Sequence, residues 1–131
     1  MALAFVICPA IILGIIIGLI EANFVHADEP GPIGMKHAIH AIPTTIIFVL
    51  ISMNIGYLLQ ILNVGVVENS TIDLGVRAVI AVIAMIKIQA AAAIGRGIGE
   101  KLPHTAGIGL LIFGAPYIWE MFISKLVTLP C

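Results

Sequence analysis

From residue 2 to residue 20 the chain contains no Asp, Glu, Lys or Arg. At ~1.5 Å of helix rise per residue, that run is long enough to cross a ~30 Å hydrocarbon layer. Residues 43–67 form a second uncharged run. Residues 74–94 and 106–127 are apolar stretches broken by Arg77 and Lys87 in the first and by Glu120 in the second, with Lys125 near its end. Hydrophobic residues make up 61% of the 131 and charged residues 10%, with a mean hydropathy of +1.20. Soluble domains carry about 25% charge, so a soluble globular fold is excluded. Strands are excluded too, because the apolar runs are continuous, whereas membrane strands alternate over about ten residues and need about eight strands to close. The expected fold is an all-α integral membrane protein: one domain over residues 1–131, built as a four-transmembrane-helix bundle with both termini on the same side.

The apolar run at the start is followed by Val25-His26-Ala27, whose small residues resemble a signal-peptidase site. The run has no positive leading segment and exceeds the ~7–15 residues usual in a signal peptide, so it is read as a membrane helix. Three connections follow: a long one over residues 21–42, a tight turn over 68–73 and an intermediate one over 95–105. With an even number of spans, the first and third lie on one side and carry His26, His37, His40 and His104. Orientation is undetermined, because Lys36, Arg96 and Lys101 on one side balance Arg77, Lys125 and the N-terminal amine on the other. Asn69-Ser70-Thr71 matches a glycosylation sequon but sits close to the membrane. In the first connection, Pro30-Gly31-Pro32 stiffens the chain behind the acidic pair Asp28-Glu29.

Cys8 and Cys131 form no closely spaced metal pattern, and Cys8 reads as a small packed thiol. A metal reading rests instead on His26, Asp28, His37 and His40, since imidazole with carboxylate suits Zn, Cu or Fe. His37 and His40 are spaced i,i+3 and share one face of a helix. The competing reading is that these groups solvate the membrane boundary or bond to backbone.

Charges within the apolar stretches each need a partner, because a charge at the centre of a span costs about 2.5–3.5 kcal/mol. Counted along the helices from the 95–105 connection, Glu120 lies ~21 Å deep, Arg77 ~26 Å and Lys87 ~11 Å. Arg77 with Glu120 is therefore the better-matched pair, with Asp73 at i,i+4 a local alternative. Lys87 and Gln89, with Asn54 beside Ser52, outline a polar patch at mid-membrane. Packing signals are a GxxxG pattern at Gly14 and Gly18 and the small residues Ala90 to Ala93. Pro116 among Gly107, Gly109 and Gly114 predicts a kink near Ala115, with neighbouring groups or water satisfying the carbonyl that proline frees.

The Gly-rich stretch over residues 95–101 lacks the spacing of a phosphate loop, and no Ser-His-Asp order, catalytic carboxylate pair or HExxH occurs. Six Lys and Arg against seven Asp and Glu leave no basic field for nucleic acid. So small a chain without a visible catalytic constellation is read as a non-catalytic accessory subunit of a larger membrane enzyme complex, of respiratory, hydrogenase or metal-dependent oxygenase type. Its expected partners are the lipid bilayer and other membrane subunits. The alternative is a small homo-oligomeric transporter or ion channel, with Lys87, Asn54, Gln89 and Glu120 lining its path. Against transport stands the lack of a central carboxylate in the first helix or of an inverted repeat.

Overall fold

A computed structural model describes residues 4–28, 31–63, 70–96 and 101–127. Within them the protein is helical, and no strand occurs among the described residues. The elements are α1 (Cys8–Asp28), α2 (Pro32–Met53), α3 (Ile55–Ile61), α4 (Ser70–Arg96) and α5 (Leu102–Ile118), the last continued by a π turn (Trp119–Ile123). Among the described residues, α1 and the Leu102–Ile123 rod are each long and apolar enough to cross a membrane. A third candidate is bent, with Ile39–Met53 and Ile55–Ile61 meeting at 69°.

Helix boundaries depart from the hydropathy pattern in one systematic way. The first helix runs on to Asp28 and the second begins at Pro32, so most of the long connection expected over residues 21–42 is helix. Hydropathy reports what lipid tolerates, whereas backbone hydrogen bonding continues through polar residues, and proline at the first helical position has no amide hydrogen to lose. Pro43, expected to open the second helix, lies inside α2. The turn after it is braced by Thr44 Oγ1 donating to His40 O at 3.0 Å and Thr45 Oγ1 within 2.9 Å of Ala41 O. These hydroxyls reinforce the carbonyls next to the one that Pro43 deprives of an amide donor, that of Ile39.

α1 packs along α2 in the most extensive pairing, α4 packs on α5, and α5 also touches α1 and α2. Gly14 and Gly18 make the first contact possible. A Cβ on Gly14 would lie 2.7 Å from Ile46 Cα, and one on Gly18 2.9 Å from Ile42 Cα. The GxxxG pattern thus serves packing within the chain. Gly109 plays the same part between α5 and α4, where Met85 fills the space of a side chain. Ala10, Leu13 and Ile17 of α1, Val49 of α2, Ala84 and Ile88 of α4, and Ile108, Ile112 and Ala115 of α5 form the core. Large apolar side chains also cover the outside, among them Ile15, Ile16, Leu19, Ile47, Val82, Ile86 and Leu110, as expected of a surface that meets lipid.

Cys8 is disulfide-bonded, not a free packed thiol as its sequence context suggests. Bridging depends on Cα atoms ~4.4–6.8 Å apart in space, which sequence spacing does not reveal. Cys131, the sequon residue Asn69, Glu29, Pro30 and the glycines at 97 and 99 lie outside the described residues, as do the side chains of His37 and of Ala91 to Ala93.

Candidate functional site

Polar side chains gather at the two ends of the bundle. At one end α2 breaks at Asn54, which is buried and has φ −117° and ψ 20°. Its side chain acts as a section of backbone would: Oδ1 accepts from Val6 N–H at 2.6 Å, while Nδ2 donates to Val6 O at 2.9 Å and to Leu50 O at 2.8 Å. The residue thus clamps the segment before α1 to the end of α2 and satisfies a carbonyl at the bend.

Beside it runs a chain of hydrogen bonds that starts at a proline. Pro116 has no amide hydrogen for the carbonyl of Ile112, four residues earlier. Buried Ser52 supplies the missing donor, its hydroxyl reaching Ile112 O at 2.7 Å. Ser52 O in turn accepts from Arg77 Nη1 at 2.5 Å. Arg77 is held to Asp73 by Nε to Oδ2 at 2.6 Å and Nη2 to Oδ1 at 3.0 Å, and its guanidinium carbon lies 5.8 Å from the centre of the Tyr117 ring. The partner of Arg77 is therefore Asp73 and not Glu120. Residues one helical turn apart meet without cost to the fold, and Glu120 is exposed on the π turn. The irregularity expected near Ala115 falls later: α5 continues through Pro116 to Ile118, and the widened turn closes with Ser124 N–H on Trp119 O at 2.9 Å.

At the other end Asp28 closes α1 against α5. Its carboxylate is 5% exposed, with Oδ2 2.7 Å from His104 Nδ1 and 3.2 Å from the Lys101 amide nitrogen, and Oδ1 3.0 Å from Lys101 Nζ. Oδ1 is thus charge-paired, though it has no aligned hydrogen bond. The His104 ring stacks on Phe24, with centroids 4.5 Å apart and planes 12° from parallel. Seven residues before Asp28, on the same helix face, Glu21 is 3% exposed and bonded to the Thr45 hydroxyl of α2.

Several expected groupings separate in space. Among the described residues no three His, Cys, Asp or Glu come together to hold a metal. Asp28 joins His104, His40 Nδ1 lies 2.8 Å from Lys36 O, and His26 is exposed. Lys87 is exposed on α4 and Gln89 half-buried, ten and twelve residues along the helix from Arg77. The patch expected around Lys87, Gln89, Asn54 and Ser52 therefore divides, with Ser52 and Asn54 belonging to the Arg77 end. Sequence reasoning missed Glu21, assigning it to a connection. Its signal was there: Glu21 continues the stripe of Ala10, Leu13, Gly14, Ile17 and Gly18 at helical spacing.

No known protein family, curated protein or solved structure matches the chain.

Proposed function

We propose that this protein is a non-catalytic subunit of a larger membrane assembly of the respiratory, hydrogenase or metal-oxygenase kind, crossing the bilayer as a four-helix bundle. Lys87 carries the reading. It stands on the outer face of α4 near exposed Val79, Val82, Ile83 and Ile86, and it forms no ion pair among the described residues. From Lys87 to the end of α4 at Arg96 is ~14 Å of helix. An unpaired ammonium at such depth costs about 2.5–3.5 kcal/mol in lipid, and a carboxylate on an adjacent subunit offsets that cost. The test is extraction of the native protein in mild detergent, followed by sizing and identification of co-purifying chains. Stoichiometric foreign subunits are expected for the wild type and their loss for Lys87→Met. A wild-type protein that purifies alone overturns the reading.

The second reading is a small homo-oligomeric transporter, and it is favoured by Glu21, a buried carboxyl on the first helix of the kind a coupled transporter needs. Lys87→Met separates the two. A transporter variant keeps its oligomeric state and changes flux in reconstituted vesicles, whereas a subunit variant leaves its complex.

A further inference from the structure

Glu21 occupies a position that the packing of α1 reserves for an apolar residue. The buried face of the helix runs Ala10, Leu13, Gly14, Ile17, Gly18, Glu21, Val25. Against Glu21 lies Thr45, itself buried on α2. Among the described side chains, charged and titratable groups on the packed elements are engaged elsewhere or face outward, and the side chain of His37 on α2 lies outside them. On α1, His26 is exposed and Asp28 is bound to α5. On α2, Lys36 and His40 are exposed. On α5, His104 bonds to Asp28, and Lys101, preceding the helix, pairs with it as well. No cation pairs with Glu21 among the described residues.

With Glu21 3% exposed and no cation beside it among the described residues, a charge there is a buried and unpaired one. Thr45 has one hydroxyl hydrogen and two oxygens in reach, Glu21 Oε2 and Ala41 O, the latter at 2.9 Å. Ala41 O lies within α2, where the Thr45 amide donates to it as in any helical turn, so the hydroxyl is free to serve Glu21 Oε2 when the carboxyl is ionised. With a proton on the carboxyl, Glu21 O–H donates to Thr45 Oγ1 and the Thr45 hydroxyl hydrogen turns to Ala41 O, so both hydrogens have acceptors and no buried charge is left unpaired. We propose that Glu21 and Thr45 form an internal proton-binding site, in which uptake of one proton by the carboxyl turns the Thr45 hydroxyl from Glu21 to the Ala41 carbonyl. The proton comes from, and returns to, water at the nearer end of α1, where Asp28, Lys101 and His104 lie. One O–H bond forms on the carboxyl and no other covalent bond changes. The inference stands on this geometry alone, whether the protein is a subunit or a transporter.

Infrared difference spectroscopy of the full chain in detergent or lipid tests it. The wild type is expected to show the C=O band of a protonated, hydrogen-bonded carboxyl that fades as pH is raised and returns as pH is lowered. Glu21→Gln is expected to lose this band. Thr45→Val, which keeps the carboxyl but removes its acceptor, is expected to retain the band shifted to higher frequency, so the site remains testable if the Glu21→Gln variant misfolds. Three results overturn the proposal: no such band at any pH, a band that survives Glu21→Gln, or a band insensitive to pH. A band abolished by Na+ at constant pH also overturns it, since the carboxyl then holds a metal cation and not a proton.

Discussion

Ser52 shows how one side chain can replace a backbone donor. Its hydroxyl occupies the carbonyl of Ile112 that Pro116 leaves free, and its own carbonyl takes the Arg77 guanidinium. Removing one partner from a buried hydrogen bond leaves the other unsatisfied, at about 1–3 kcal/mol. Ser52→Ala is therefore expected to lower stability by about 1–2 kcal/mol in a denaturant titration of the detergent-solubilised chain. The same change made in Pro116→Ala should cost less, by about 1 kcal/mol, because alanine supplies an amide hydrogen to Ile112 O. Additive losses would show that Ser52 matters for another reason. Proline in an apolar run was visible in the sequence, and so was the freed carbonyl. Which donor would answer it was not, because Ser52 is sixty residues away.

Between elements, closeness is decided by glycine. At Gly14 an added Cβ meets backbone, which cannot rotate out of the way, so α1 and α2 must separate. Gly14→Ala is expected to destabilise the chain by about 1–3 kcal/mol, as overpacking does. Gly107 serves as the control on the same kind of helix, since nothing lies within 4 Å of its added Cβ. Gly107→Ala should be neutral or stabilising by up to about 1 kcal/mol, the helix-propensity difference between the two residues. Equal effects of the two substitutions in thermal unfolding would contradict the packing account. Asn54 governs a different property, the bend. There the helix gives up its regular bonding, and one amide side chain takes up the Leu50 carbonyl while making two further hydrogen bonds to the Val6 backbone.

For the whole molecule, the contacts that close it at one end converge on Asp28, which ties the end of α1 to the start of α5. Asp28→Asn is expected to cost about 1–2 kcal/mol, because it removes the charge facing both His104 and Lys101. Lys101→Met should cost under about 0.5 kcal/mol, since the lysine is 69% exposed and its pairing is screened by water. Unfolding titrations of the two variants side by side check the order, and a larger loss for Lys101→Met would place the closure elsewhere. The outer surface makes a different demand. Apolar side chains cover it, and among the described residues Lys87 on α4 is the exposed charge nearest the middle of a long helix, which is why its neutralisation is the informative change for assembly.

Helix as the sole regular secondary structure of the described residues, and membrane-crossing length in two or three segments, were legible without coordinates. Both depend on sums over neighbouring residues: transfer free energy accumulates along a run, and a backbone in lipid must satisfy its own hydrogen bonds. The Gly14 and Gly18 spacing was likewise readable as a close-approach signal. Pairing between helices was not. Asp73 beside Arg77 was readable as the i,i+4 alternative, but that Glu120 stays apart from Arg77, that His104 and not His26 meets Asp28, and that Glu21 is buried against Thr45 follow from how the helices are rotated about their axes. A rotation of one residue's width, about 100° on a helix, moves a side chain from the core to the lipid. That rotation is set by contacts among residues far apart in the chain, such as Gly18 with Ile42 and Ser52 with Ile112, so only the packed structure decides which polar groups meet.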